Sequence, residues 1–432
     1  MGLVIAAFRI EGIIVHRYWY AQTLVFPPSQ QPRDLFSASV AIGHDYFGAS
    51  VAIDGDTLAV AASDIRTSYT VGAVYVYVRN GSAWKLQAKL VEENVEQSFG
   101  FAQSVDISGN TIVVSTVDSV IIFERRDSIW IQRARIEPPK ELKPQGVLSW
   151  YYSGIAIDGD SLVVGARGAA VVYTRDVSGT WNYETVLVSP DRSSSSSGNP
   201  DLCNFGSSVA ISNNTIVVGS KPRPADGIGN CTNIFVRHPT SRQWTHQASL
   251  LPDICQSSQP CDIGGFGYSV GIDRDTIIVG TAAPLAGPFQ YCASRGDSAY
   301  IFERIPDTSA WKQTAVLQPK GMLAKFHASR CGFGEQVAVS RDTAIVMQNK
   351  IGIRYLFKRD PQTGEWQYQA EILVDPQMAY RDWEYDSRQS VALSFPYAAI
   401  GDTTYSRSKE SRFDSGAFYV LDLRSPKSNA NK

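Results

Sequence analysis

The stretch Phe205–Leu250 reads FGSSVAISNNTIVVGS, then a long loop, NIFVRHP, a short turn and WTHQASL. Four apolar runs are separated by turn signals. SSVAIS and TIVVGS are short and rich in β-branched residues, and Asn213–Asn214 between them is a tight-hairpin signature. The same sentence recurs along the chain, so the fold is read from the repeat rather than from a single element.

Units open at Phe47, Phe101, Tyr151, Phe205, Phe266, Phe333 and, more weakly, near Ser387. Trp84, Trp130, Trp181, Trp244, Trp311 and Trp366 each have an aliphatic residue six positions later: Leu90, Ile136, Leu187, Leu250, Leu317 and Ile372. On a regular strand an even spacing puts both residues on one face. Each Trp is therefore expected to share a buried face with its aliphatic partner, as packing rather than as a ligand site. The seventh unit (QSVALS, YAAIGD, GAFYVLDL) lacks the Trp strand, and Trp19 with Val25, inside WYAQTLVF, supplies the same spacing at the N-terminus. A terminal strand that completes the last blade removes an exposed edge.

Short strands without helical periodicity predict an all-β chain. Four strands per unit predict a single β-propeller over residues 1–423, with residues 1–26 part of a closing blade and 424–432 a disordered tail. The strand count favours seven blades. Leu3–Ala7 and Gly12–His16 are then surplus, and Phe36–Ile42 nearly copies Phe47–Ile53, so an eight-bladed ring or a truncated array is the alternative.

The chain has 432 residues, a formal charge of −2 and five His. A charge near zero offers no electrostatic reason to expect nucleic acid or an anionic membrane. No run approaches the roughly 18–20 apolar residues of a membrane helix. The N-terminus has no basic leader and Glu11 interrupts its apolar stretch, so no signal peptide is visible, and a start partway through a longer product is expected.

Phe47–Gly48, Phe205–Gly206, Phe266–Gly267 and Phe333–Gly334, each followed by SVAIDGDT-like and GAVYVY-like strands, resemble the FG-GAP repeat family, the propeller repeat of integrin alpha-subunit heads and of many microbial and protist surface proteins. The resemblance implies a secreted or cell-surface, non-enzymatic recognition or adhesion module that binds a protein or glycan. The GAP element is degraded to GAR at Gly165, GSKP at Gly219 and GTAAP at Gly280, and the integrin-type calcium loop is absent. Asp54/Asp56, Asp158/Asp160 and Asp273/Asp275 lie in tight turns, where Asp serves turn geometry. Two carboxylates fall short of the six to eight oxygens calcium takes. No cofactor or metal is expected.

Cys203, Cys231, Cys255, Cys261, Cys292 and Cys331 all fall in loops of the fourth to sixth units, the pattern of disulfides in an oxidising compartment. Asn80, Asn213 and Asn230 head glycosylation acceptor patterns. Arg295–Ser298 spells RGDS at a place where turn chemistry accounts for it. The histidines share no repeat position, and neither a nucleophile elbow nor a P-loop appears. Long loops all fall on one side of the predicted ring, so the expected recognition surface is that face, with Arg223, Phe289, Tyr291, Arg295 and Phe326 as contacts. The alternatives are a propeller hydrolase with a channel active site, or a structural segment of a larger surface protein.

Overall fold

The computed structural model describes residues 18–20, 23–25, 46–63, 72–94, 100–140, 154–166, 168–190, 205–220, 232–255, 265–281, 298–320, 332–348, 352–373, 389–402 and 417–424. These form seven antiparallel blades in a ring, and the seven-bladed expectation holds. Each blade runs in sequence order from the axis outwards. The inner strands are Tyr46–Asp54, Val105–Ser108, Ile155–Asp158, Phe205–Ser212, Phe266–Asp273, Phe333–Ser340 and Gln389–Ser394. Each touches the next, and Gln389–Ser394 returns to Tyr46–Asp54 to close the ring.

The second strands are buried almost throughout: Thr57–Ser63, Thr215–Ser220 and Thr343–Gln348 have no exposed residue. This explains their continuous apolar reading, since both faces meet another blade. The core is divided accordingly into apolar clusters between neighbouring blades. One joins Val51, Ile53 and Trp84 of blade one to Ala399 and Phe418 of blade seven, and another joins Ala52 and Leu90 of blade one to Val105 and Trp130 of blade two.

Closure at the termini differs from the single outer strand expected around Trp19–Val25. Thr23–Val25 alone pairs antiparallel with Ala417–Asp422 and completes blade seven. Tyr18–Tyr20 pairs in parallel with the outer strand Trp366–Leu373 of blade six and makes that blade five-stranded. Leu3–Ala7, Gly12–His16, Phe36–Ile42 and the tail after Arg424 lie outside the described residues.

The expected common face of each Trp and its aliphatic partner is also corrected. Trp84 packs in the seam with blade seven, whereas Leu90 packs in the seam with blade two. The same division separates Trp130 from Ile136 and Trp311 from Leu317. The cause is a β-bulge in every Trp strand, for example between the pairs Tyr77–Leu86 and Val76–Ala88, which leaves Gln87 unmatched. One extra residue reverses the alternation, so an even spacing ends on opposite faces. The bulge residue is then used by the next blade: Trp130 Nε1–H donates to Gln87 at 2.9 Å, and Trp311 Nε1–H to Gln247 at 2.9 Å.

The FG motif and the residual Gly of the degraded GAP motif meet across the seams. Gly206 has φ +92°, and a Cβ there would lie 1.9 Å from the Ala169 carbonyl of blade three. A Cβ on Gly165 of blade three would lie 2.0 Å from the Gly206 carbonyl. Gly280 and Gly334, and Gly401 and Gly48, repeat this contact. Backbone-to-backbone approach requires the absent side chain; nothing in this contact involves the lost proline.

Candidate functional site

Most of the surface chosen from sequence falls outside the described residues: Arg223, Phe289, Tyr291, Arg295 and Phe326, together with Cys203, Cys231, Cys261, Cys292, Cys331 and Asn230. Cys255 is described. It ends a short 3-10 turn, Asp253–Cys255, is 1% exposed and is disulfide-bonded. Asn80 is exposed at the end of a strand, and Asn213 is exposed in its turn with φ +54°.

The short turns that follow the seven inner strands are all among the described residues. The last residue of every inner strand is Asp or Ser, and its side chain accepts a hydrogen bond from the turn of the following blade. Gly109 N–H donates to Asp54 at 2.7 Å, Gly159 N–H to Ser108 at 3.0 Å, and Arg274 N–H to Ser212 at 3.0 Å. Asn213 N–H donates to Asp158, Arg341 N–H to Asp273, and Phe395 N–H to Ser340 at 3.2 Å. Gly55 N–H donates to Ser394 at 3.1 Å and closes the circle between the first and last blades. The second member of each turn pair holds an Arg from the end of the third strand: Arg79 to Asp56 at 2.6 Å, Arg175 to Asp160 at 2.7 Å, Arg304 to Asp275 at 2.8 Å. Arg175 and Arg304 also stack over Trp181 and Trp311. The paired carboxylates are thus seam fasteners as well as turn residues. Among the described residues no group of three or more His, Cys, Asp and Glu is placed to hold a metal.

What varies around this constant frame is the residue at the turn tip. It is Gly55, Gly109 and Gly159 in blades one to three, then Asn213, Arg274, Arg341 and Phe395. Over blades five to seven the tips enclose an open recess of about 610 Å³ lined by Asp273, Arg274, Ser340, Arg341, Asp342, Ser394 and Phe395. The Arg341 guanidinium lies 5.5 Å from the centre of the Phe395 ring. Arg274 makes a long contact of 3.3 Å to the Asp273 carboxylate. Asp342 and Arg341 are exposed, and neither side chain forms an ion pair among the described residues.

Two further polar groups stand out among the described residues. Asp106 stands on the inner strand of blade two, where the other blades have Ala or Gly. It accepts from Ile157 N–H of blade three at 2.8 Å and from Ile107 N–H at 2.9 Å. Burial outweighs these bonds and pushes its pKa up to about 7. His246, Ser249 and Asn233 meet on the outer part of blade four, but Asn233 Oδ1 and Ser249 both approach the same ring nitrogen, Nε2. A nucleophilic triad needs the orienting group on the other nitrogen.

A family model described as FG-GAP repeat matches residues 34–77. No curated protein matches the sequence. Similar solved structures include a protein from Lactobacillus plantarum (10% identity, TM-score 0.49, 76% of this chain and 85% of that one). A putative 6-phosphogluconolactonase from Bacteroides uniformis is 8% identical, with TM-score 0.48 over 76% of this chain and 86% of that one. The periplasmic gluconolactonase of Pseudomonas aeruginosa is 12% identical, with TM-score 0.48 over 76% and 85%. The last two bear lactonase names, and the expectation of a non-enzymatic recognition or adhesion module is corrected on that finding. A propeller scaffold does not by itself choose between binding and catalysis. Among the described residues no helix is long and apolar enough to cross a membrane. The chain is thus a closed seven-bladed β-propeller whose residues 34–77 match the FG-GAP repeat.

Proposed function

We propose that the chain is a hydrolase of small esters or lactones, with its active site in the recess over blades five to seven. The observation that carries this reading is the Asp342 carboxylate, without an ion-pair partner among the described residues, in a recess that also holds the guanidinium of Arg341. A recess of about 610 Å³ lies within the range of roughly 300–1,000 Å³ typical of small-molecule sites. In the reaction, Asp342 accepts a proton from a water whose oxygen bonds to the carbonyl carbon. The Arg341 guanidinium holds the substrate in the recess beside Asp342. The acyl–oxygen bond then breaks, and the leaving alkoxide takes the proton from Asp342, so ester and water become acid and alcohol. FG-GAP repeats and the disulfide at Cys255 are compatible with an extracellular or periplasmic setting.

The test is proton release by the full chain with phenyl acetate and δ-valerolactone. Asp342→Asn is expected to lower kcat by roughly 10²–10⁴-fold. Absence of turnover in the wild type, or an unchanged kcat in the variant, overturns the assignment.

A further inference from the structure

The tip position of the inner turns has a positive φ in blades one to six: +55° at Gly55, +57° at Gly109, +56° at Gly159, +54° at Asn213, +53° at Arg274 and +53° at Arg341. Gly adopts this region freely and Asn tolerates it, whereas a long side chain there carries roughly 1–2 kcal/mol of strain. Blades five and six both place Arg in it. Backbone strain of this kind clusters at ligand clamps and active sites. The two strained residues are neighbours in the ring and both line the same recess.

Their surroundings define what they can hold. The Arg341 guanidinium is stacked on Phe395. Stacking occupies the face of the group and leaves its in-plane N–H fork free for a carboxylate or phosphate. Arg274 has its side chain 63% exposed, and its one ion pair among the described residues is the 3.3 Å contact to Asp273, whose other oxygen already accepts the Arg341 N–H. The tips of blades one to three, being Gly, contribute no side chain to oppose an anion on the far side of the mouth. Phe395 supplies the only apolar ring among the residues that line the recess.

We propose that the substrate carries a carboxylate or phosphate group, seated by Arg341 and Arg274, and a flat or ring-shaped body that lies against Phe395. This rests on the reading of the recess as the hydrolytic site and adds the class of substrate to it. The anionic group is not the one that reacts: it anchors the molecule while an uncharged ester or lactone carbonyl faces Asp342.

The experiment compares three esters of one size class: phenyl acetate, monophenyl succinate and 4-acetoxyphenyl phosphate. The wild type is expected to favour the charged esters in kcat/KM, and the better of the two identifies the anion as carboxylate or phosphate. Arg341→Gly places at this tip the residue found in blades one to three, so loss of folding does not confound the result. It is expected to raise KM for the charged esters by about tenfold more than for phenyl acetate, a difference worth about 1.4 kcal/mol. Arg341→Lys, which keeps the charge, is expected to restore part of that difference. Turnover with equal KM effects on neutral and charged esters overturns the anion anchor and leaves the hydrolase standing. If nothing is hydrolysed, titration calorimetry with benzoate and inorganic phosphate decides. Binding lost in Arg341→Gly supports the anchor and removes the hydrolase, and no binding overturns both.

Discussion

The mouth at the short-turn end is built twice over, once alike and once unlike. In every blade an Asp or Ser at the end of the inner strand fastens the next turn, from Asp54 on Gly109 to Ser394 on Gly55. Beside that uniform circle, blades one to three end their turns in Gly, whereas blades five to seven end theirs in Arg, Arg and Phe. The frame needs only an acceptor and a backbone N–H, so the tip is free to vary without loosening the ring. Repetition marks what holds the propeller together, and departure from the repeat marks where chemistry can be placed.

The largest expected effect belongs to the uniform part. Trp130 is buried between blades one and two, bonded to Gln87 and stacked under Arg125. Trp130→Ala is expected to lower stability by roughly 3–5 kcal/mol, read as a shifted denaturation midpoint. A loss below about 1 kcal/mol would show that the seams do not carry the ring. Next comes a departure inside the frame. Asp106 has its pKa raised from the ordinary carboxylate range to about 7, so between about pH 4 and 7 the folded state binds a proton that the unfolded chain does not. Its neutral form favours folding at low pH, and that stability is lost as pH rises through 7. The difference amounts to at most about 4 kcal/mol. Asp106→Asn is expected to flatten the dependence between pH 5 and 8 and to be more stable than the wild type at pH 8. Equal pH slopes for the two proteins would refute this. The smallest effect sharpens the contrast at the tips. Arg274→Gly is expected to stabilise the protein by up to about 1 kcal/mol, and Gly159→Arg to destabilise it by about as much. Thermal melts of the two variants in opposite directions would establish that blades five and six hold strain that blades one to three do not.

The sequence by itself determined the all-β class, the seven repeats, their order and the need for a strand from the N-terminus in blade seven, because strands and turns are dictated by neighbours along the chain. The FG and GAP glycines and the Trp spacing were visible as signals. Their partners were not, since Gly206 meets Ala169 and Trp130 meets Gln87 across a seam. The direction of each Trp was misread because a single bulged residue reverses a strand face, and only the pairing with the neighbouring strand reveals it. Arg274 and Arg341 stood in plain sight in the turns DRD and SRD, where their tip position in place of Gly was the available signal. That these two arginines, Asp342 and Phe395 face one recess was decided only by the tertiary structure: ring closure brings together turns more than fifty residues apart, a distance over which sequence periodicity carries no information about side-chain direction.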